Sequence, residues 1–207
     1  MGLGRSHEWD LSFAKIGHAT DDRRRRSVDA RRVTRLAFTL ATIVLAFSGA
    51  AVAARAPHGH ARTKLDPLSA AVLVQVNGVR RAHGLRPLRA STRLTAAASQ
   101  HSGEMAWRGY FEHASFDGTA FWRRIQRFYA RRGYRTWSVG ENLLWSSPDV
   151  DAAGAVRMWM NSPEHRANLL ARTWREIGLA AIHVPSAPGV YEGAEVTIVT
   201  ADFGARR

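Results

Sequence analysis

Four short signatures follow one another in the chain: Phe-Glu-His-Ala-Ser at 111–115, Gly-Glu-Asn-Leu-Leu-Trp at 140–145, Trp-Met-Asn-Ser-Pro-Glu-His-Arg-Ala-Asn-Leu-Leu at 159–170, and Ile-Gly-Leu-Ala at 177–180. Two histidines and one or two glutamates, far apart in sequence, each stand in a distinctive frame. That is the pattern of one site assembled from several elements. Ser162-Pro163-Glu164-His165 has a local physical reading. Serine as cap, proline at the first helical position and a carboxylate beside it start a short helix. His165 falls in that first turn, where the helix dipole disfavours imidazolium and keeps the ring in its metal-binding, proton-accepting form. His113 sits in a loop near Ser115, Asp117 and Gly118. Glu141, between Gly140 and Leu143-Leu144-Trp145, is a half-buried carboxylate in need of a partner, which a histidine or arginine supplies.

Outward from these signatures, Asp66-Pro67 has the form of a helix start, and His83-Gly84 of a stop, which predicts a helix over 67–82 with Val72, Val76 and Val79 on one stripe. Arg80 and Arg81 at its end suit the dipole. A second helix is predicted at 91–108, capped by Ser91 or Thr92 and ended by Gly109. His101 lies on its apolar face with Leu94, Ala97, Ala98 and Met105, and reads as a hydrogen-bonded core histidine. A third helix is predicted at 119–132, with Phe121, Trp122, Ile125, Phe128 and Tyr129 inward. Arg123, Arg124, Arg127, Arg131 and Arg132 form its solvated face. Residues 134–144 read as extended or irregular, and 149–161 as a fourth helix with Val156, Trp159 and Met160 inward. The β-branched runs 177–184 and 190–203, separated by Pro185-Ser-Ala-Pro-Gly, predict a terminal hairpin. Helices first and a hairpin last make the fold α+β.

Ahead of this domain, residues 1–35 are basic and without periodicity and read as a disordered n-region. Leu36–Ala54 carries no charge and closes on Ala51-Val-Ala, the form of a secretory signal peptide. Nineteen uncharged residues also suffice for a membrane anchor. Either reading predicts an extracellular or cell-surface domain. Residues 55–65, with His58 and His60, read as a linker, and 66–207 as the folded domain. Of 207 residues none is cysteine, which excludes disulfide frameworks, thiolate metal sites and cysteine nucleophiles. The net charge is +13, and from Ala54 onward 21 Arg and Lys stand against 12 Asp and Glu, a balance that favours anionic partners.

The order of these signatures, with a final strand ending Asp-Phe-Gly at 202–204 and with Asn77 and Arg80 in the first helix, resembles the CAP superfamily. That is the family of cysteine-rich secretory proteins, antigen 5 and pathogenesis-related proteins, and the likeness is to its bacterial, disulfide-free branch. It covers about 68–204. The resemblance implies an α-β-α sandwich around a central antiparallel sheet, with a cleft lined by two histidines and two glutamates in many members. Position by position it implies His113 as the first histidine, Glu141 as the Gly-Glu-Asn glutamate and His165 as the second histidine. The place of the fourth residue holds Ser162, and Glu164 is the substitute within reach. It also implies a zinc-like ion on His113 and His165, and a ligand that is a lipid or an anionic cell-envelope component. The function expected is a binding module, secreted or held at the membrane by Leu36–Ala54 if that segment is uncleaved. The alternative is an extracellular hydrolase using His113, Glu141 and His165. Against the alternative, the chain has neither a Gly-x-Ser-x-Gly elbow nor a His-Glu-x-x-His helix. Nucleic acid is not expected as a partner, because no recognition module is present.

Overall fold

The computed structural model describes residues 17–18 and 65–207. The run Leu36–Ala54, on which the signal-peptide and anchor expectations rest, lies outside the described residues, as do His58 and His60. Among the described residues no helix is long and apolar enough to cross a membrane.

The elements follow in chain order. β1 is Gly17–His18, α1 Pro67–Ala82, β2 Arg89–Ala90, α2 Thr92–Arg108, α3 Phe121–Phe128, β3 Trp137–Ser146, α4 Ala152–Asn161, α5 Pro163–Leu169, β4 Glu176–Val184 and β5 Val196–Arg206. The strands form one sheet in the order β1-β3-β5-β4-β2. Pairings are antiparallel except that β2 runs parallel to β4. The architecture is α+β, an α-β-α sandwich.

Alternation along β3 and β5 separates two layers of core. Leu144 of β3 and Val199, Ala201 and Phe203 of β5 face α1, α4 and α5, where Val72, Val76, Trp159, Leu169 and Trp174 complete an apolar layer. Trp137, Val139 and Leu143 of β3 and Val196 and Ile198 of β5 face α2 and α3, against Leu94, Ala97, Met105, Phe121 and Ile125. The Ile-Gly-Leu-Ala signature has a steric basis here, since a Cβ on Gly178 would lie 2.0 Å from the Leu94 carbonyl carbon. Helix α2 therefore lies directly on β4.

Starts and stops follow local chemistry. The Asp66 carboxylate accepts from the Ser69 amide at 2.8 Å, and Asp151 caps α4 in the same way. Asn77 bonds both the carbonyl and the amide of Leu88, at 3.0 and 2.7 Å, which fixes the connector after α1. Arg80 serves as more than a dipole cap. Its side chain is 1% exposed and donates to the carbonyls of Arg86, Leu169 and Ala171, tying α1 to the end of α5.

Four expectations need correcting. The third helix ends at Phe128 and not at 132, because Tyr129 turns inward, its carbonyl accepts from the Trp137 indole, and Arg132 and Gly133 take positive φ. Residues 137–146 are a full strand, buried on both faces, so its sequence shows no polar–apolar alternation. The fourth helix starts at Ala152, behind the Asp151 cap. The last strand starts at Val196, because the Val190 amide bonds the Gly109 carbonyl at 3.0 Å and holds 189–191 as a 3₁₀ turn against the end of α2.

Candidate functional site

Glu141 lies in the middle of β3 with its side chain on the α2/α3 face, 1% exposed. Both of its oxygens are taken. His113 Nδ1–H donates to Oε1 at 2.8 Å, and Arg124 of α3 donates through Nη2 to Oε2. The other end of the same guanidinium donates through Nη1 to the His113 carbonyl at 3.0 Å and the Ser115 hydroxyl at 3.3 Å. One buried arginine thus holds the glutamate and the histidine-bearing loop together. Arg124 does not belong to a solvated helix face, as the sequence reading had it; it is fully buried. The readable signal was its place between Phe121 and Ile125, three and four residues apart on the inward stripe of α3.

Burial by itself would raise the Glu141 pKa. The Arg124 charge and the His113 hydrogen bond outweigh it and hold the carboxyl down to about 2, so it is ionised. His101 of α2 stands 4.0 Å from the same carboxylate. It is the buried, hydrogen-bonded histidine expected: its Nε2–H donates to the Glu112 carbonyl at 2.9 Å. Burial lowers its pKa to about 4, against the pull of Glu141. Tyr110 completes this corner, its hydroxyl donating to Glu104 at 2.8 Å and lying 3.5 Å from His101 Nδ1.

Asp202, which the sequence offered only as part of Asp-Phe-Gly, is the register partner of Glu141 across β3 and β5. It is fully buried beside the Glu141 carboxylate. Burial, and after it the Glu141 charge, push its pKa well above the usual carboxylate value, which favours its neutral form. A neutral acid opposite an ionised one avoids placing two buried charges side by side.

Asn142, the next residue of the signature, points to the opposite face of the sheet. It donates to the His165 carbonyl at 3.0 Å, and its own oxygen accepts from Asn168 at 2.9 Å. Asn168 also donates to the Glu141 carbonyl at 3.1 Å and accepts from the Trp174 indole at 3.1 Å. Gly140 makes room for this network, since a Cβ there would meet Asn168 and Trp174 at 2.8 Å. Gly-Glu-Asn therefore joins the two signature histidines to one strand, His113 through Glu141 and α5 through Asn142.

His165 is half-buried, with Nδ1 2.8 Å from the Ser162 hydroxyl. Its pKa is lowered by burial first and by the neighbouring His113 second. Ser162 consequently bonds its own histidine and leaves the backbone of α5 without a side-chain cap. Glu164 is exposed; its carboxylate lies 3.5 Å from the Ser162 hydroxyl and pulls on His165 only as a nearby charge.

A metal has a limited fit. With both Nδ1 atoms engaged, the Nε2 atoms of His113 and His165 have no partner among the described residues, and the carboxylate behind His113 orients its ring as in metal sites. Among the described residues, however, no group of three or more His, Cys, Asp and Glu is arranged to hold an ion. Two imidazoles are fewer protein ligands than tight zinc sites use. Beside His165, on the other side of α5, an open hollow of about 370 Å³ is lined by Met160, Asn161, Pro163, Arg166, Ala167 and Leu170.

Comparisons with known proteins bear on the family. An uncharacterized protein of Bacillus subtilis, YkwD, is 28% identical over 111 residues; the match covers 54% of this chain and 41% of the relative, less than half its length. An outer surface protein of Borrelia burgdorferi shares the fold at a TM-score of 0.51 and 19% identity, covering 66% of this chain and 90% of that one. An extracellular protein of Bacillus anthracis containing a SCP domain superposes at a TM-score of 0.49 with 27% identity, covering 64% of this chain and 38% of its own. The family model "CAP: Cysteine-rich secretory protein family" matches residues 73–203, well over half of the sequence. Though it contains no cysteine, the chain belongs to the cysteine-rich secretory protein (CAP) family.

Proposed function

We propose that this CAP domain is a binding module of the cell exterior, in which the hollow across α5 from His165 takes an amphiphilic ligand with an anionic head. The observation that carries the reading is that both Glu141 oxygens are occupied inside the fold, by Arg124 and His113. A carboxylate held at a pKa of about 2 is a poor general base near neutral pH, which counts against the hydrolase alternative. Its role is to fix the His113 tautomer and turn Nε2 outward. The floor of the hollow is Met160, Pro163, Ala167 and Leu170, apolar enough for an acyl or isoprenoid chain, and Arg166 supplies a cation for a carboxylate or phosphate head. His113 and His165 would bind a divalent ion such as zinc weakly through their Nε2 atoms and leave its other positions open. Export rests on the uncharged run Leu36–Ala54 behind its basic flank.

The test is mass spectrometry of the organic extract of the purified full chain, alongside calorimetric zinc titration. The expected result is an anionic amphiphile at up to one per chain, depleted in Arg166→Glu, and one weak zinc site that vanishes in the His113→Ala, His165→Ala double variant. Ester or peptide turnover abolished by Glu141→Gln in a protein that still folds would refute the reading and install the hydrolase.

A further inference from the structure

Four chain segments meet at one end of the sheet, and each brings arginine. The Arg89 amide donates to the Arg175 carbonyl at 3.1 Å and the Arg175 amide to Gly204 at 3.0 Å, while Thr136 and Arg207 exchange backbone bonds at 2.8 and 3.2 Å. These bonds gather Arg86 before β2, Arg89 on it, Arg172 and Arg175 before β4, and Arg206 and Arg207 at the end of β5 on one rim, with the arginine-bearing turn 131–135 beside them. Arg175 is lowered from the usual arginine pKa by burial and then by the charges of Arg207 and Arg86. The carboxylate at this rim, Glu176, accepts from the Tyr129 hydroxyl. Among the described residues Arg124 is the one arginine within ion-pair distance of a carboxylate, so no described carboxylate is paired with a rim arginine.

Guanidinium forks match phosphate oxygens in pairs. Here they are spread over several segments and converge on no pocket, so one phosphate cannot satisfy them, whereas a chain of phosphates can. We propose that this rim docks a linear phosphodiester polymer without bases, of the polyol phosphate kind. A nucleic acid fits less well. The exposed ring at this end, Tyr134, already has Arg206 at 5.0 Å over one face, where a base would stack. A bilayer also fits less well, because surface-seated proteins set apolar side chains beside their cations. Of the exposed apolar residues Val74 lies on α1 and Met158 on α4, while Trp107, Phe116 and Val190 cluster round the C-terminal end of α2. That end lies about 25 Å along the helix from its start beside Ala90.

The experiment measures binding of the full chain to poly(glycerol phosphate) at several salt concentrations. The expected plot of log affinity against log salt has a slope of about −2 to −4, several phosphates being neutralised. Replacing Arg86, Arg89, Arg172 and Arg207 together by Gln should weaken binding at least about tenfold and flatten that slope. The same change at Arg108, Arg123, Arg127 and Arg157, exposed elsewhere, should cost less than about twofold, since screened charges away from the contact add little. If the first set unfolds, Arg86→Glu alone, on the exposed connector, should still weaken binding. Equal losses in the two sets, or loss only when Arg23–Arg26 are replaced, would overturn the rim as the docking surface. Tighter binding at matched phosphate to single-stranded DNA, or to phosphatidylglycerol vesicles, would overturn the ligand class.

Discussion

Leu144 and Glu141 belong to the same strand, three residues apart, and they stand in opposite kinds of interior. On the side of Leu144, α1, α4 and α5 close over Trp159, Trp174, Leu169 and Phe203, and the polar groups admitted there, Asn142, Asn168 and Arg80, bond mainly to carbonyls and amides. On the side of Glu141, α2 and α3 enclose an ionised glutamate, a buried guanidinium, a neutral imidazole and a neutral carboxylic acid. The first face depends on volume and the second on charge balance. Charges kept out of water stay ionised only if each is matched, and removing one partner leaves the other stranded. The contrast shows which half of the sandwich can carry a pH-dependent or ligand-dependent property.

Paired substitutions probe the contrast most strongly. Arg124→Gln strands Glu141 and should cost about 3–5 kcal/mol in urea denaturation. Trp159→Ala opens a cavity on the other face at a similar cost of about 3–5 kcal/mol. Adding Glu141→Gln should recover more than about 1 kcal/mol of the first loss and none of the second, because only the first pair shares a network. Strict additivity in both combinations would mean that the two faces do not differ in kind.

Acid is the second probe. His101 has a folded pKa of about 4 against an ordinary 6.5, so below pH 6.5 the unfolded chain takes up a proton that the native state refuses. Its contribution is whole above pH 6.5 and is lost as pH falls toward 4, on the order of 3 kcal/mol. His165 acts in the same direction. Glu141, depressed from 4.5 to about 2, adds a further loss between those values. Asp202 opposes them, since its raised pKa stabilises the fold most below 3.8 and less as pH climbs through its folded value. The net change in urea midpoint between pH 7 and 4.5 is the balance of these opposed contributions, and His101→Phe should shift that balance toward greater relative stability at pH 4.5. A pH dependence identical in His101→Phe and the unaltered chain contradicts the charge-balance account.

The smallest effect tests the polar groups on the apolar face. Asn168→Ala removes its bonds to Glu141, Asn142 and Trp174, for about 1–2 kcal/mol. Faster amide exchange confined to α5, with the acid response unaltered, is the expected signature. A changed acid response would show that the two faces communicate.

Sequence and structure agree most where local chemistry governs. The Asp66-Pro67 start, the buried stripe of α2 with His101 upon it, and the helix opened by Ser162-Pro163 all lie within a few residues of their causes. His113, Glu141 and His165 could be singled out because each occupies a short fixed frame. Arg124 was harder to read: its place on the inward stripe of α3 was the one signal, because its partner is 17 residues away and its neighbours are arginines that do face solvent. Asp202 was silent for a similar reason: its environment is created by a strand pairing across some sixty residues of chain. Strand β3 read only as extended or irregular because Ser138, Glu141 and Asn142 are all buried, so its polar residues mark tertiary bonds and not a wet face.

The position of β5 has a consequence for biosynthesis. It lies between β3 and β4, pairing with both along their length, yet it follows both in the chain. A polypeptide emerging N-terminus first presents two long strands whose common neighbour has not yet been made, and Glu141 has no Asp202 opposite it until residue 202 appears. Most of the sheet's hydrogen bonds therefore wait until β5 has been made. A nascent chain that lacks β5 remains open, the form in which a polypeptide can be threaded through a narrow channel before it folds.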